Sequence, residues 1–166
     1  MLPPKPLAPF DAWPVQVADQ EASLFAWFLE PNIFVFQYHD PVYKFITAQK
    51  VVHFTDTARD LRRAQIAEAK GIVVVHDARV LTRTEPQAQK YLDVAWKKLK
   101  AADVNAVYLV VGTSMPALAR VALNFVNVVS ALSTGKTMTF VTDFSEPFEK
   151  HAIKPPAPGA AFPGFG

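Results

Sequence analysis

The chain has 166 residues, of which 51% are hydrophobic and 19% are charged. That composition supplies one well-filled core, and the length is too short for two ordinary domains. Its 17 basic and 15 acidic residues are spread along the chain without a run of Lys or Arg, so nucleic acid is not an expected partner. The absence of Cys excludes disulfides, zinc–thiolate sites and thiol catalysis, and it fits a reducing compartment.

Both ends of the chain are rich in proline. Nine of the fourteen prolines lie in the first 14 and the last 12 residues, where the chain can continue neither a helix nor a sheet ladder. We therefore divide the chain into an N-terminal arm (1–21), an α/β domain (22–152) and a C-terminal tail (153–166). Aromatic residues in both ends leave docking on the body or on a neighbouring molecule open: Phe10, Trp13, Phe162 and Phe165. The start, MLPPKPLAPFDAWP, lacks the features of a signal peptide, so we expect a cytoplasmic protein.

The α/β domain opens with a predicted β-hairpin. Residues 23–29 and 33–38 are rich in aromatic and aliphatic residues, and Glu30-Pro31-Asn32 between them has the composition of a tight turn. After an ambiguous stretch, Thr55 or Asp56 can cap a helix that reaches Lys70.

Apolar strands and helices alternate beyond that point. Residues 72–75 and 106–111 are continuous apolar runs, typical of strands buried on both faces, and residues 137–141 supply a last strand. Thr84 and Gln87 offer a capping box for the helix between the first two of these runs. This alternation predicts an α/β fold with a mixed, mostly parallel sheet and an N-terminal β-hairpin.

The remaining helix signals lie at glycines and serines. Gly71 is placed to end the helix that reaches Lys70, and Gly135 to end a third helix that Ser114 can cap. Ser145 can cap a short final helix.

The order of elements is similar to that of the STAS superfamily, and closest to its SpoIIAA-like branch. The likeness covers roughly residues 22–152 and is carried by the strand IVVVHDAR, the helix EPQAQKYLDVAWKKL, the strand AVYLVV and a small-residue apolar helix before TFVTD. It implies a bacterial, non-enzymatic interaction module with a regulatory or scaffolding role. Some relatives switch partner binding by phosphorylation of a Ser, but the segment HDARVLTRT lacks their Asp-Ser motif, and Thr82 and Thr84 are its only hydroxyls.

Two His-Asp pairs follow predicted strands and raise the question of a metal site. They are His39-Asp40 and His76-Asp77. Imidazole and carboxylate suit several divalent ions, but adjacent residues on an extended chain point to opposite sides. A site would need one residue from each pair to converge, so we expect strand-end polar residues and no metal.

The carboxyl ends of the parallel strands are the expected ligand site of such a sheet. Asp77 and Arg79 lie there, and Thr113 and Ser114 open a helix whose N–H groups could hold an anion. Alternatively, Ser114 caps the helix and Arg79 pairs with Asp77 or Asp143. No phosphate loop, nucleophile elbow or helical His pair appears, so the sequence predicts no catalytic residue and no cofactor.

The predicted third helix is apolar around most of its circumference. Arg120, Asn124 and Asn127 form a narrow polar stripe that makes a membrane span improbable. The excess apolar surface suggests a cover: a dimer mate, an aromatic arm or a lipophilic ligand. The sequence therefore favours a protein–protein interaction module, monomeric or homo-oligomeric, over a binder of a small lipophilic or anionic ligand.

Overall fold

The computed structural model describes residues 2–112 and 138–165. The strands, in chain order, are β1 (Val17–Asp19), β2 (Leu24–Leu29), β3 (Ile33–Tyr38), β4 (Val42–Tyr43), β5 (Ile72–Asp77), β6 (Arg83–Thr84), β7 (Val104–Val110) and β8 (Met138–Val141). The helices are α1 (Phe45–Leu61), α2 (Arg63–Glu68), α3 (Pro86–Trp96) and α4 (Ser145–Lys150), with a 3-10 turn at Ala101–Asp103. The predicted helix between Ser114 and Gly135 and its polar stripe lie outside the described residues.

The main sheet has six strands in the order β1-β2-β3-β5-β7-β8. Strands β1, β2 and β3 pair antiparallel, whereas β3, β5, β7 and β8 pair parallel. The predicted α/β class, the hairpin and the mostly parallel sheet are therefore confirmed. Strands β4 and β6 form a separate parallel pair above the carboxyl ends of the central strands.

The three central strands β2, β3 and β5 are buried along their whole length because both faces of the sheet are covered. Alternate side chains divide into two cores. The helix-side core contains Phe28, Phe34, Phe36 and Tyr38 under α1 and α3. The arm-side core contains Phe25, Trp27, Val35, Val73, Val75 and Tyr108.

The N-terminal arm covers the arm-side core. Phe10 is fully buried, stacks on Trp27 at 5.1 Å between ring centroids and meets Phe144 edge-on at 5.0 Å. Trp13 packs on the same group, and the Trp27 Nε1 donates a hydrogen bond to the Pro14 carbonyl at 2.9 Å. The arm is thus held by aromatic packing on its own chain, and its last residues join the sheet as β1.

The C-terminal tail covers the opposite face. Phe162 is 1% exposed and contacts Phe28, Phe34 and Phe54. Phe165 follows and meets Phe54 edge-on at 4.7 Å. Both proline-rich ends therefore complete the core of a single chain.

The predicted start of the first long helix is wrong, because Lys44 and not Thr55 or Asp56 is the residue that precedes the helix. The helix α1 begins at Phe45, and Thr55 lies inside it with its hydroxyl donating to the Val51 carbonyl at 2.7 Å. The Phe45 N–H instead donates to the Glu85 carboxylate at 3.1 Å. A residue forty positions away thus satisfies the helix start, which no local capping signal reveals. Gly71 follows α2 as predicted, with a φ of +103°.

Two further capping predictions are wrong. Thr84 belongs to β6, and α3 begins after Glu85 without a side-chain cap. Ser145 is the first residue of α4 rather than its cap, and its N–H donates to Asp143 at 2.9 Å. In residues 2–112 and 138–165, no helix has both the length and the apolar character needed to cross a bilayer.

Candidate functional site

Three polar side chains meet at the carboxyl ends of β3 and β5, on the arm side of the sheet. Gln37 and Asp77 are partners in the parallel register, and the Gln37 Nε2 donates to the Asp77 Oδ2 at 2.7 Å. Arg79, two residues beyond Asp77, folds back over the same carboxylate. We call Gln37, Asp77 and Arg79 the strand-end cluster.

The Asp77 carboxylate is buried and neutralised by Arg79. The Arg79 Nε and Nη2 donate to its two oxygens at 2.8 and 2.7 Å, and these hydrogen bonds raise the pKa of Arg79. Burying a carboxylate alone would be costly, and the bidentate pair with Arg79 compensates that cost for Asp77, which is 2% exposed. The Arg79 guanidinium also lies 5.0 Å from the Phe144 ring centroid.

The strand-end cluster binds the main chain of the N-terminal arm. The Leu7 N–H donates to the Gln37 Oε1 at 2.8 Å, and the Gln37 Nε2 donates to the Leu7 carbonyl at 3.1 Å. The Arg79 Nη2 donates to the Ala8 carbonyl at 2.6 Å. All three bonds use backbone atoms of the arm, while the Leu7 side chain remains 42% exposed.

His39 completes the surroundings of Gln37. Its Nε2 lies 2.7 Å from the Gln37 Oε1, and its ring meets Phe25 edge-on. An amide oxygen only accepts, so the His39 Nε2 carries the proton in this assigned orientation. Burial lowers the pKa of His39. The charge of Asp77 opposes this shift and the charge of Arg79 adds to it, but both effects are smaller than that of burial. A neutral His39 and the compensated Arg79 leave the cluster without net charge near pH 7.

His76 points to the opposite face of the sheet from Asp77. Its Nδ1 shares a hydrogen bond of 2.6 Å with the Tyr38 hydroxyl, and burial lowers the pKa of His76 to about 4. His39 and Asp77, one residue of each His-Asp pair, thus meet on the arm side through Gln37, whereas His76 lies on the helix side. Among the described residues, no three His, Asp or Glu side chains are grouped to hold a metal ion.

The structure brings together only some of the residues singled out from the sequence. Asp77 and Arg79 pair with each other, and the Asp143 carboxylate instead accepts from Ser145. Thr82 donates its N–H and its hydroxyl to the Pro41 carbonyl. Thr84 pairs with Tyr43 in the small sheet. The other candidates lie outside the described residues: Thr113, Ser114, Arg120, Asn124 and Asn127.

Sequence reasoning missed Gln37 and the contacts of Leu7 and Ala8, and it considered His39 only as a possible metal ligand. The available signal was Gln37 itself, because it is the one amide in the otherwise apolar run IFVFQY. A buried polar side chain needs partners, and here the arm supplies two of them.

A second concave feature lies between α1, α2 and α3. It is a groove of about 740 Å³ with charged and apolar walls: Val52, Asp56, Arg59, Asp60, Arg63, Ile66, Ala67, Tyr91, Val94, Ala95, Lys98, Lys100, Ala102 and Asp103. Arg59 lies 3.6 Å from Asp56 and 3.7 Å from Asp103, so its charge is already shared between two carboxylates.

Comparisons with known proteins identify no relative. No family model, no curated protein and no solved structure matches the chain.

Proposed function

We propose that this chain is a non-catalytic interaction module, regulatory or scaffolding in role, that binds a segment of another protein at the strand-end cluster. The observation that carries the proposal is the main-chain recognition of Leu7 and Ala8 by Gln37 and Arg79. The STAS likeness, which implies an interaction module, agrees with it.

The chemistry of the cluster suits a peptide better than an anion. Gln37 offers one donor and one acceptor to the same residue, which is the pattern that a backbone amide presents. Two N–H groups of Arg79 already donate to Asp77, and this ion pair compensates the charge that would otherwise attract an anion. A peptide backbone can be held by such bonds without a charged group.

Site-specific photo-crosslinking in the native source would test the proposal. A photoreactive amino acid replaces Thr82, which is exposed in the loop that follows Arg79. A matched probe replaces Val94, which is 62% exposed on α3. We expect one polypeptide to crosslink from position 82 and not from position 94, because Thr82 follows Arg79 closely in the chain whereas Val94 lies on α3.

The control is the same Thr82 probe combined with Gln37→Leu, which removes the amide at similar volume. Loss of the crosslink in a folded Gln37→Leu chain supports recognition at the cluster. Equal crosslinking from positions 82 and 94, or a crosslink that Gln37→Leu leaves unchanged, contradicts it.

The groove between α1, α2 and α3 favours a second candidate, a binder of a small ligand. Four basic and three acidic side chains line it beside apolar ones, so it would suit an anionic or amphipathic molecule. Native mass spectrometry of the chain from its own source separates the candidates. An adduct of small mass favours the ligand binder, whereas a multiple of 18.4 kDa favours a homo-oligomeric interaction module.

A further inference from the structure

We propose that residues 2–9, the outer half of the N-terminal arm, are an intramolecular ligand that occupies the strand-end cluster and competes with the partner segment. This inference rests on the proposed function and adds two things to it. It names the chemistry of the segment that the cluster accepts, and it gives the chain a built-in inhibitor of its own binding site.

The arm has an anchor and an outer half. Phe10 is the anchor, since it is fully buried among Trp13, Trp27, Phe144 and Phe148. Releasing it would expose a whole aromatic side chain to water, which is unfavourable. Phe10 therefore stays docked when the outer half leaves the cluster.

The outer half is held mainly at two side chains. Leu2 and Pro6 are buried, so lifting the segment exposes them, whereas its other side chains are already exposed or half-buried. The main-chain bonds to Gln37 and Arg79 exchange for bonds to water when the segment lifts, so their net contribution is small. Local opening of residues 2–9 is thus far less costly than unfolding of the sheet.

The outer half is rich in proline, which suits a segment that acts as a ligand. Residues 3, 4, 6 and 9 are prolines, which restrict the backbone before docking, and the Phe10 N–H closes a turn on the Leu7 carbonyl at 3.0 Å. A preorganised segment loses little conformational entropy on binding. A partner segment of the same composition would share this advantage.

The contacts define which residues such a segment can carry. The residue in the place of Leu7 must have an N–H, because that group donates to the Gln37 Oε1. The residue in the place of Ala8 supplies only a carbonyl to Arg79. Both side chains face solvent, so their identity is otherwise free. The accepted ligand is therefore a proline-rich peptide that turns at this point and has a non-proline residue in the place of Leu7.

Variants of Leu7 in the full chain test the competition. Leu7→Pro removes the N–H that Gln37 accepts, and Leu7→Ala keeps it as the matched control. The probe is a blocked synthetic peptide of residues 2–9, titrated into each chain and followed by amide chemical shifts. We expect the Leu7→Pro chain to bind the probe about tenfold more tightly than the Leu7→Ala chain, since its own arm competes less well.

Two further measurements make each outcome decisive. Adding Gln37→Leu to the Leu7→Pro chain should abolish binding, and a probe with Pro in place of Leu7 should not bind. Equal affinity for the Leu7→Pro, Leu7→Ala and unaltered chains would overturn the competition while leaving the proposed function intact. No binding by a folded Leu7→Pro chain would overturn peptide recognition by the cluster as well.

Discussion

Gly71 joins α2 to β5 in a backbone conformation that side chains rarely adopt. Its φ is +103°, and a Cβ built there would lie 2.8 Å from backbone atoms of Asp103 and Val104. Gly159 provides a matched control, because its φ is +80° and a Cβ there would meet nothing within 4 Å. The two positions separate backbone strain from steric overlap.

We expect Gly71→Ala to lower the free energy of unfolding by about 3 kcal/mol, the sum of strain and overpacking. Gly159→Ala should cost only about 1 kcal/mol, from strain alone. Urea unfolding of both variants measures the difference. Equal losses would mean that the chain around the 3-10 turn moves aside without cost.

His76 makes the stability of the fold depend on pH. Burial lowers its pKa from 6.5 to about 4, so the unfolded chain takes up a proton at a higher pH than the folded chain does. Stability is therefore retained above pH 6.5 and falls as the pH decreases toward 4. Between pH 7 and pH 5 this group alone should remove about 2 kcal/mol from the free energy of unfolding.

His76→Asn isolates that contribution. The Asn amide can replace the hydrogen bond with Tyr38 and does not titrate. We expect the loss of stability between pH 7 and pH 5 to be about 2 kcal/mol smaller in the variant, measured by urea unfolding at each pH. Parallel pH profiles for the two chains would show that His76 does not carry the dependence.

At the scale of elements, the strands were predictable and the helix starts were not. A run such as IVVV needs a site buried on both faces, and β5 is buried throughout. The start of α1 depends on Glu85, which directly precedes α3 and is forty residues from Phe45 in the chain. Capping signals are local in sequence, so a cap supplied by tertiary contact cannot be found from spacing.

The candidate site was predictable in position but not in composition. Parallel strands placed Asp77 and Arg79 at the carboxyl ends, as the alternation of elements indicated. Gln37 joined them because β3 is parallel to β5, and strand order does not follow from a single sequence. The arm contacts were equally hidden, since Leu7 and Ala8 contribute backbone atoms that every residue has.

At the scale of the whole molecule, the two chain ends are attached to opposite faces of one sheet. Phe10 belongs to the arm-side core, and Phe162 belongs to the helix-side core. The sheet separates these cores, so the packing of one end should not depend on the packing of the other. Phe144 offers a contrast, because it touches Phe10 directly at 5.0 Å.

Double-mutant cycles with Phe→Leu substitutions would test this independence. Each single variant should lose about 1–2 kcal/mol of unfolding free energy, because Leu fills most of the volume of the ring. The losses of Phe10→Leu and Phe162→Leu should add to within about 0.5 kcal/mol, whereas those of Phe10→Leu and Phe144→Leu should deviate from additivity by about 0.5–1.5 kcal/mol. If the coupling between Phe10 and Phe162 were as strong as that between Phe10 and Phe144, the two chain ends would stabilise the fold as one unit. Release of the outer half of the arm would then loosen the tail as well.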